Sequence, residues 1–283
     1  MGSPARLSLR HALALGLAHG PTELLPISSS GHTILIPWLA GWPYAALDPE
    51  LRKSFEVALH AGTAAALLTD LRSTELCPGL DTATDSPDMR QALLIALSFI
   101  PPAVAGYTFE QFLQRRLSGP PTVAAGLLLG GAAMALADAR PPNGVRTLVQ
   151  AGATDGVLLG LAQICALVPG VSRSGAVLTA ARARGFSRAD SHTLARRTGL
   201  PVILGAGALK TGRLLQRGAP PGAARALALG GSTAFLSTLA ATRLFRRDSR
   251  ARREAPLLPF SLYRGLLAAL VISRLRPPHN RGA

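Results

Sequence analysis

Five stretches of this chain contain no Asp, Glu, Lys or Arg: Leu24 to Leu47, Gln91 to Phe109, Leu117 to Ala137, Gly156 to Ser172 and Ala226 to Thr242. Several approach the ~20 residues that a helix needs to cross the hydrocarbon core of a bilayer. Shorter apolar stretches lie at His11 to Thr22, Val57 to Thr69, Thr198 to Leu209 and Pro256 to Ser273, the last interrupted by Arg264. Of the 283 residues 48% are apolar and 16% charged, where soluble domains carry roughly 25% charged. Such a chain is expected inside a membrane, where backbone amides must bond to one another and helices meet that demand.

Two of the apolar tracts are interrupted by proline and small polar residues. The first interruption runs from His19 to His32, His-Gly-Pro-Thr-Glu-Leu-Leu-Pro-Ile-Ser-Ser-Ser-Gly-His, and Pro169-Gly-Val-Ser-Arg-Ser-Gly175 is its partial echo. Irregular backbone at membrane depth has to line a cavity or be buried in protein, because lipid cannot bond to the freed amides. Breaks at Gly20-Pro21, Pro26 to Gly31 and Pro169 to Gly175 therefore mark two re-entrant or broken helices, about residues 11 to 30 and 156 to 174, whose turns meet inside the protein. Downstream, His60-Ala-Gly-Thr63 is matched by Arg197-Thr-Gly-Leu200. Two diverged halves with interrupted segments at matching places are the signature of an inverted-repeat membrane fold with its site near the repeat interface. The expected architecture is all-α and polytopic: one integral membrane domain over 1–283, with halves 1–140 and 141–283. It has about six transmembrane helices plus two re-entrant helix-turn-helix segments.

A formal charge of +15 raises nucleic acid as a partner. The basic residues are nearly all arginine, however, and gather between apolar runs, as at Arg115-Arg116, Arg246-Arg247 and Arg250 to Arg253. Basic loops fix the orientation of membrane proteins. With no nucleic-acid motif and few aromatics to stack on bases, nucleic-acid binding is set aside. Arg243 to Arg253 is the best candidate for a cytoplasmic loop, and Asp70 to Met89 reads as a solvated loop. The arginines of Arg182 to Arg197 adjoin the second motif and serve either orientation or the site. Cys77 and Cys165 cannot make a disulfide framework, and Cys165, in an apolar run, reads as a small core residue. Arg6 and Arg10 before an apolar segment resemble a signal peptide, but no small-residue cleavage site precedes the polar cluster, so the segment is expected to be retained.

Within the polar interruptions, Glu23 is an ionisable side chain flanked by membrane-type sequence. Such groups are costly and face a partner or a water-filled cavity. Thr22, Ser28, Ser29, Ser30, Gly31 and His32 surround it. The serines suit helix N-capping, and a helix N-terminus is also an anion site. A serine there becomes a nucleophile if His32 or Glu23 removes its proton. Ser172-Arg173-Ser174-Gly175 adds a guanidinium fork that matches phosphate oxygens and a glycine that lets backbone approach closely. Arg173 needs an anion, supplied by Glu23, by Glu56 or by a phosphate ligand, and the ligand is favoured. His19 and Glu23 share one face if their turn is helical and together suit a divalent ion. Glu56 and His60 repeat that spacing, while His192 and His279 read as loop residues.

In order along nearly the whole chain lie Thr22-Glu-Leu-Leu-Pro-Ile-Ser-Ser-Ser-Gly-His32, Phe55-Glu-Val57, Gln163 to Gly175, and Leu258-Pro-Phe-Ser-Leu-Tyr-Arg264. With these motifs the chain resembles the undecaprenyl-diphosphatases of bacteria, integral membrane enzymes also known for conferring bacitracin resistance. The resemblance implies hydrolysis of a C55 prenyl diphosphate to the monophosphate, recycling the lipid carrier of cell-wall synthesis, with a divalent cation, Mg²⁺ or Ca²⁺, assisting. It implies that Glu23 belongs to an acidic motif, that Ser29 is nucleophile or phosphate ligand, that His32 is its acid/base partner and that Arg173 clamps the diphosphate. Thr22, Ser28, Ser30, Gly31, Ser172, Ser174 and Gly175 would line the substrate, with Glu23 and His19 toward the metal. Two positions depart from the family's pattern. His19 stands where relatives typically carry Glu or Gln, and His60 where Gln is usual, and losing a carboxylate weakens a hard oxygen site.

The expected partners are thus a polyprenyl diphosphate lipid and the bilayer, with a homodimer as the assembly and the bacterial plasma membrane as the location. Two rivals accompany this reading: a non-hydrolytic transporter or flippase of a polyprenyl phosphate, since broken helices and inverted repeats are transporter features, and a phosphatase for a different polyprenyl diphosphate.

Overall fold

The computed structural model describes residues 7–73, 89–139, 145–247 and 254–275. Among them the secondary structure is helical: α1 (Leu9–Leu24), α2 (Ser29–Leu39), α3 (Pro49–Ser73), α4 (Met89–Leu117), α5 (Pro120–Ala139), α6 (Ala153–Cys165), α7 (Arg173–Ala183), α8 (Arg188–Arg217), α9 (Ala224–Arg247) and α10 (Leu258–Leu275). A single 3-10 turn at Leu148–Gln150 precedes α6.

The helices sort by length. Six run from 18 to 30 residues, namely α3, α4, α5, α8, α9 and α10. Of these, Met89–Phe109, Pro120–Ala139 and Leu258–Leu275 are both long and apolar enough to cross a membrane. The other four, α1, α2, α6 and α7, are 11 to 16 residues long and form two broken pairs. On α5 and α10 large apolar side chains such as Leu129, Leu136 and Leu266 stand exposed, as a lipid-facing surface requires. The chain is a membrane protein.

Each broken pair begins with a helix that carries two glycines four residues apart. Gly16 and Gly20 of α1 press on α9, and Gly156 and Gly160 of α6 press on α4. A Cβ on Gly20 would sit 2.5 Å from the backbone of Ser237, and one on Gly156 would sit 2.6 Å from the carbonyl oxygen of Leu94. Small residues at this spacing let two helix backbones approach, the contact that substitutes for a hydrophobic driving force within lipid. The close approach also explains why Gly20-Pro21 is not a break. Helix α1 runs unbroken through both residues to Leu24, and its turn falls at residues 25–28. The first broken segment therefore spans 9–39 and the second 153–183, each longer than expected from sequence.

Three apolar clusters support the frame. Leu15, Phe55, Leu59 and Leu227 join α1, α3 and α9, while Leu159, Leu178, Phe186 and Leu194 gather α6 to α8. Leu35, Val123, Leu127, Ala268 and Val271 tie α2 to α5 and α10.

Several sequence expectations change here. Arg182 and Arg188 bind Asp138, at 3.1 and 2.8 Å, and Arg146 and Arg184 bind Asp155, at 2.9 and 3.0 Å. These arginines pin helix ends together and are not ligands of the site. Asp70 is buried in the last turn of α3 instead of opening a solvated loop, whose remaining residues 74–88 lie outside the described residues. Arg243 belongs to α9, and residues 248–253 of the expected basic loop are likewise outside the described set. Cys165, near the end of α6, is exposed rather than in the core. His192 lies within α8 and not in a loop, while Cys77 and His279 fall outside the described residues.

Candidate active site

The two turns that break the short helices are built alike. Ser28 caps α2 at φ 74° and Ser172 caps α7 at φ 67°. Positive φ is rare for a residue with a side chain and carries strain of about 1–3 kcal/mol. What offsets it is the same pair of contacts in both places. Each serine Oγ accepts from the amide three residues ahead, Gly31 or Gly175, at 3.2 Å, and lies 3.3 Å from the next-but-one serine, Ser30 or Ser174.

The turns are also joined to each other. Ser28 Oγ accepts from the Gly170 amide at 3.2 Å, and Ser174 Oγ donates to the Leu25 carbonyl at 3.3 Å. Behind them the buried Arg264 of α10 donates through Nη2 to the carbonyls of Gly126, Gly170 and Val171, at 3.3, 3.0 and 2.8 Å. That contact fixes the loop from which Ser172 and Arg173 project.

With the turns locked, the side chains of Glu23, Ser29 and Arg173 converge. Arg173 Nη2 lies 2.9 Å from Glu23 Oε1, and Ser29 Oγ donates to Glu23 Oε2. Gly199 of α8 makes room for this, since a Cβ there would collide with Arg173 Nη1. Glu23, and not an external anion alone, thus answers the charge of Arg173. Both members are largely shielded from solvent, the Glu23 side chain being 9% exposed, a setting in which an unpaired charge would cost several kcal/mol.

A cavity of about 260 Å³ opens on this pair. Thr22, Ser28, Ser29, Ser30, Ser172, Arg173 and Ser174 line its polar end, and Ile34, Leu113, Leu167, Val202 and Ile203 its apolar walls. A second cavity of about 240 Å³ meets Glu23, Arg173 and Ser174 from another side, with Leu25, Leu178, Phe245 and Phe260 around it. Gly31 and Gly175 are buried and act through their amides, as donors to the capping serines.

His32 is placed differently from the sequence expectation. Its Nδ1 contacts the Ser28 carbonyl at 2.7 Å and its Nε2 contacts Tyr263 Oη at 2.6 Å, with the two rings stacked. The imidazole braces the first turn against α10 and makes no hydrogen bond with Ser29. Its N–H on Nδ1 donates to the carbonyl, which leaves Nε2 to accept from the tyrosine.

On the other flank of Glu23, His19 and His60 meet edge to face with ring centroids 4.8 Å apart. Three contributors were not legible as site residues in the sequence: Tyr263, Arg264 and Gly199. The first two sit in the motif near the C-terminus, which was the available signal.

The fold and this centre define an α-helical membrane protein with a Glu–Arg–Ser constellation held where polar turns meet apolar walls. The chain belongs to the bacitracin resistance protein BacA family, whose model matches residues 12–270. It is similar to undecaprenyl-diphosphatases from Geobacter sulfurreducens, 37% identical over 95% of this chain and 99% of the relative, and Geobacter metallireducens, 36% over 93% and 96%. Another, from Alcanivorax borkumensis, is 34% identical over 92% and 97%.

Proposed function

We propose that this protein is an undecaprenyl-diphosphatase: it hydrolyses undecaprenyl diphosphate to undecaprenyl phosphate and phosphate as a multi-pass protein of the bacterial plasma membrane, returning the lipid carrier to cell-wall synthesis and conferring bacitracin resistance. The observation that carries the proposal is the Arg173–Glu23–Ser29 chain at the junction of polar turns and apolar walls. A prenyl diphosphate has that same division, an anionic head on an apolar tail. The transporter rival is not favoured, because the relatives that span this chain carry a hydrolase name.

In the proposed reaction the diphosphate enters between the serine turns, and Arg173 shares its fork between Glu23 and phosphate oxygens. Ser29 loses its proton to the Glu23 oxygen it already bonds and attacks the terminal phosphorus, or holds a water that does so. The bond to the bridging oxygen breaks, undecaprenyl phosphate leaves, and water releases the phosphoryl group from Ser29. Arg173, the amides of the turns and the hydroxyls of Ser28, Ser30, Ser172 and Ser174 neutralise the charge on the transferred group. Thr22 stays at the cavity wall, its own hydroxyl bonded to the Ala18 carbonyl at 2.8 Å. His32 positions Ser29 by holding the Ser28 carbonyl. The two halves, 1–140 and 141–283, each supply one turn, and a homodimer is proposed as the assembly, checked by the mass of the solubilised protein.

The expected Mg²⁺ or Ca²⁺ meets a donor set that does not suit it. Among the described residues the side chains able to ligate a metal that gather here are His19, Glu23 and His60, with ligand atoms within 4.8 Å of one another. Both ring nitrogens of His19 are buried without a hydrogen-bond partner. Mg²⁺ and Ca²⁺ take shells of oxygen, and two imidazoles beside one carboxylate fit neither, so no step runs through such an ion.

The test is phosphate release from undecaprenyl diphosphate by the purified protein. Arg173→Ala should lower it by about 10²–10³-fold, the usual cost of removing one donor to developing charge. Release undiminished in that variant, or lipid movement across vesicles with no release, would sink the proposal.

A further inference from the structure

We propose that His19, Glu23 and His60 form a nitrogen-rich metal centre that selects a zinc-class ion over Mg²⁺ and Ca²⁺. Three observations meet at one place. First, one atom from each residue lies within 4.8 Å of the other two. In a tetrahedral site with bonds of 2.0–2.1 Å, donors stand roughly 3.3 Å apart, so small side-chain rotations bring this trio onto one ion.

Second, His19 is 2% exposed and neither ring nitrogen has a hydrogen-bond partner. A buried imidazole with both nitrogens unsatisfied is costly, and a metal bond supplies a partner for one of them.

Third, His60 is oriented as a ligand. Its Nδ1 lies 2.8 Å from the Glu56 carbonyl, four residues earlier on α3. The carbonyl can only accept, so Nδ1 carries the proton and the lone pair rests on Nε2. A histidine ligand typically donates its other N–H to a backbone carbonyl or carboxylate in this way, which fixes the tautomer and aims the ring.

The donor set decides the class of ion. Imidazole suits Zn²⁺, Fe²⁺, Ni²⁺ and their neighbours, while Mg²⁺ and Ca²⁺ prefer oxygen throughout. Glu23 can serve the centre without surrendering Arg173 or Ser29, because a carboxylate offers about four lone-pair directions and two are in use. Helix α1 brings His19 and Glu23, and α3 brings His60, so the ion would also cross-link the two helices.

This inference concerns the site of the proposed phosphatase, but its test does not depend on turnover. Protein in detergent is stripped with a chelator, incubated with Zn²⁺, Mg²⁺ or Ca²⁺ singly, passed over a desalting column and assayed for metal by mass spectrometry. One Zn²⁺ per chain is expected to survive, with Mg²⁺ and Ca²⁺ lost. Zn²⁺ is also expected to raise the unfolding temperature of the unaltered protein, since an ion that binds only the folded state stabilises it. His19→Gln and His60→Gln should each weaken Zn²⁺ retention by at least about tenfold, the lower end of what losing even an outer-shell partner costs. Retention of Mg²⁺ or Ca²⁺ equal to that of Zn²⁺ in the unaltered protein overturns the proposal whatever the variants do. So does Zn²⁺ retention unchanged in both variants. Should Zn²⁺ bind as stated while phosphate release is absent, the phosphatase reading falls and the metal centre stands.

Discussion

Ser28 offers a quantitative test of how the site is held. Its backbone is strained at φ 74°, yet its Oγ accepts from two amides, Gly31 of its own helix and Gly170 of the opposite turn. Ser28→Ala keeps the strain and removes the one acceptor that both amides share. Loss of a cap costs ~1 kcal/mol, and a buried amide left without a partner adds about 1–3 kcal/mol, for a total of about 2–4 kcal/mol. Ser28→Gly loses the same bonds but relieves the left-handed backbone by about 1 kcal/mol, so it should be the milder change. Ser172→Ala is the internal comparison, because Ser172 accepts from one backbone amide, that of Gly175, and should cost only the ~1 kcal/mol of a cap. The expected order of destabilisation is Ser28→Ala, then Ser28→Gly, then Ser172→Ala. Unfolding of the micelle-bound protein by added SDS, followed by circular dichroism, measures the order. Equal losses for Ser28→Ala and Ser172→Ala would show that the bond across the turns contributes nothing, and a glycine variant weaker than the alanine one would refute the strain.

Further expectations follow from individual contacts. Gly20→Ala should destabilise by about 1–3 kcal/mol through overpacking, because its Cβ would meet the α9 backbone at 2.5 Å, whereas Gly265→Ala, with nothing within 4 Å, should be neutral or slightly stabilising in the same unfolding assay. Asp138→Asn removes the counter-charge of Arg182 and Arg188 and should cost about 3–5 kcal/mol, read as early unfolding in SDS. Tyr263→Phe deprives His32 Nε2 of its partner and should cost ~1 kcal/mol, with phosphate release falling far less than in Arg173→Ala. A loss as large as that of Arg173→Ala would return proton transfer to His32.

The parts of the fold and site legible in the sequence were those encoded locally. Proline beside serine clusters marks where a helix must stop, and Pro26 and Pro169 do so near the turns observed. Arg173 amid apolar residues announced a buried anion, though its partner across 150 positions was not decidable. Glycine was ambiguous, since it serves both breaks and close packing, and at Gly20 the packing on α9 prevails. His60 looked like half of a weak pair with Glu56 because its actual neighbour, His19, lies on another helix. His32 was misplaced for the same reason, its tyrosine partner being 231 residues away.

The way the two broken segments are seated bears on how the protein is made. Helix α1 packs on α9, and α6 packs on α4, so the first helix of each broken segment is seated against a long helix far from it in the chain. A nascent chain that has emerged only to Ala139 holds Glu23, Ser28 and Ser29, but neither the guanidinium of Arg173 nor the amide of Gly170 has yet been synthesised. Glu23 must therefore wait in the membrane without its cation, and α1 without its groove, until more than half the polypeptide has followed. A chain that ends before Gly170 can therefore form neither the bond between the two turns nor the Glu23–Arg173 pair.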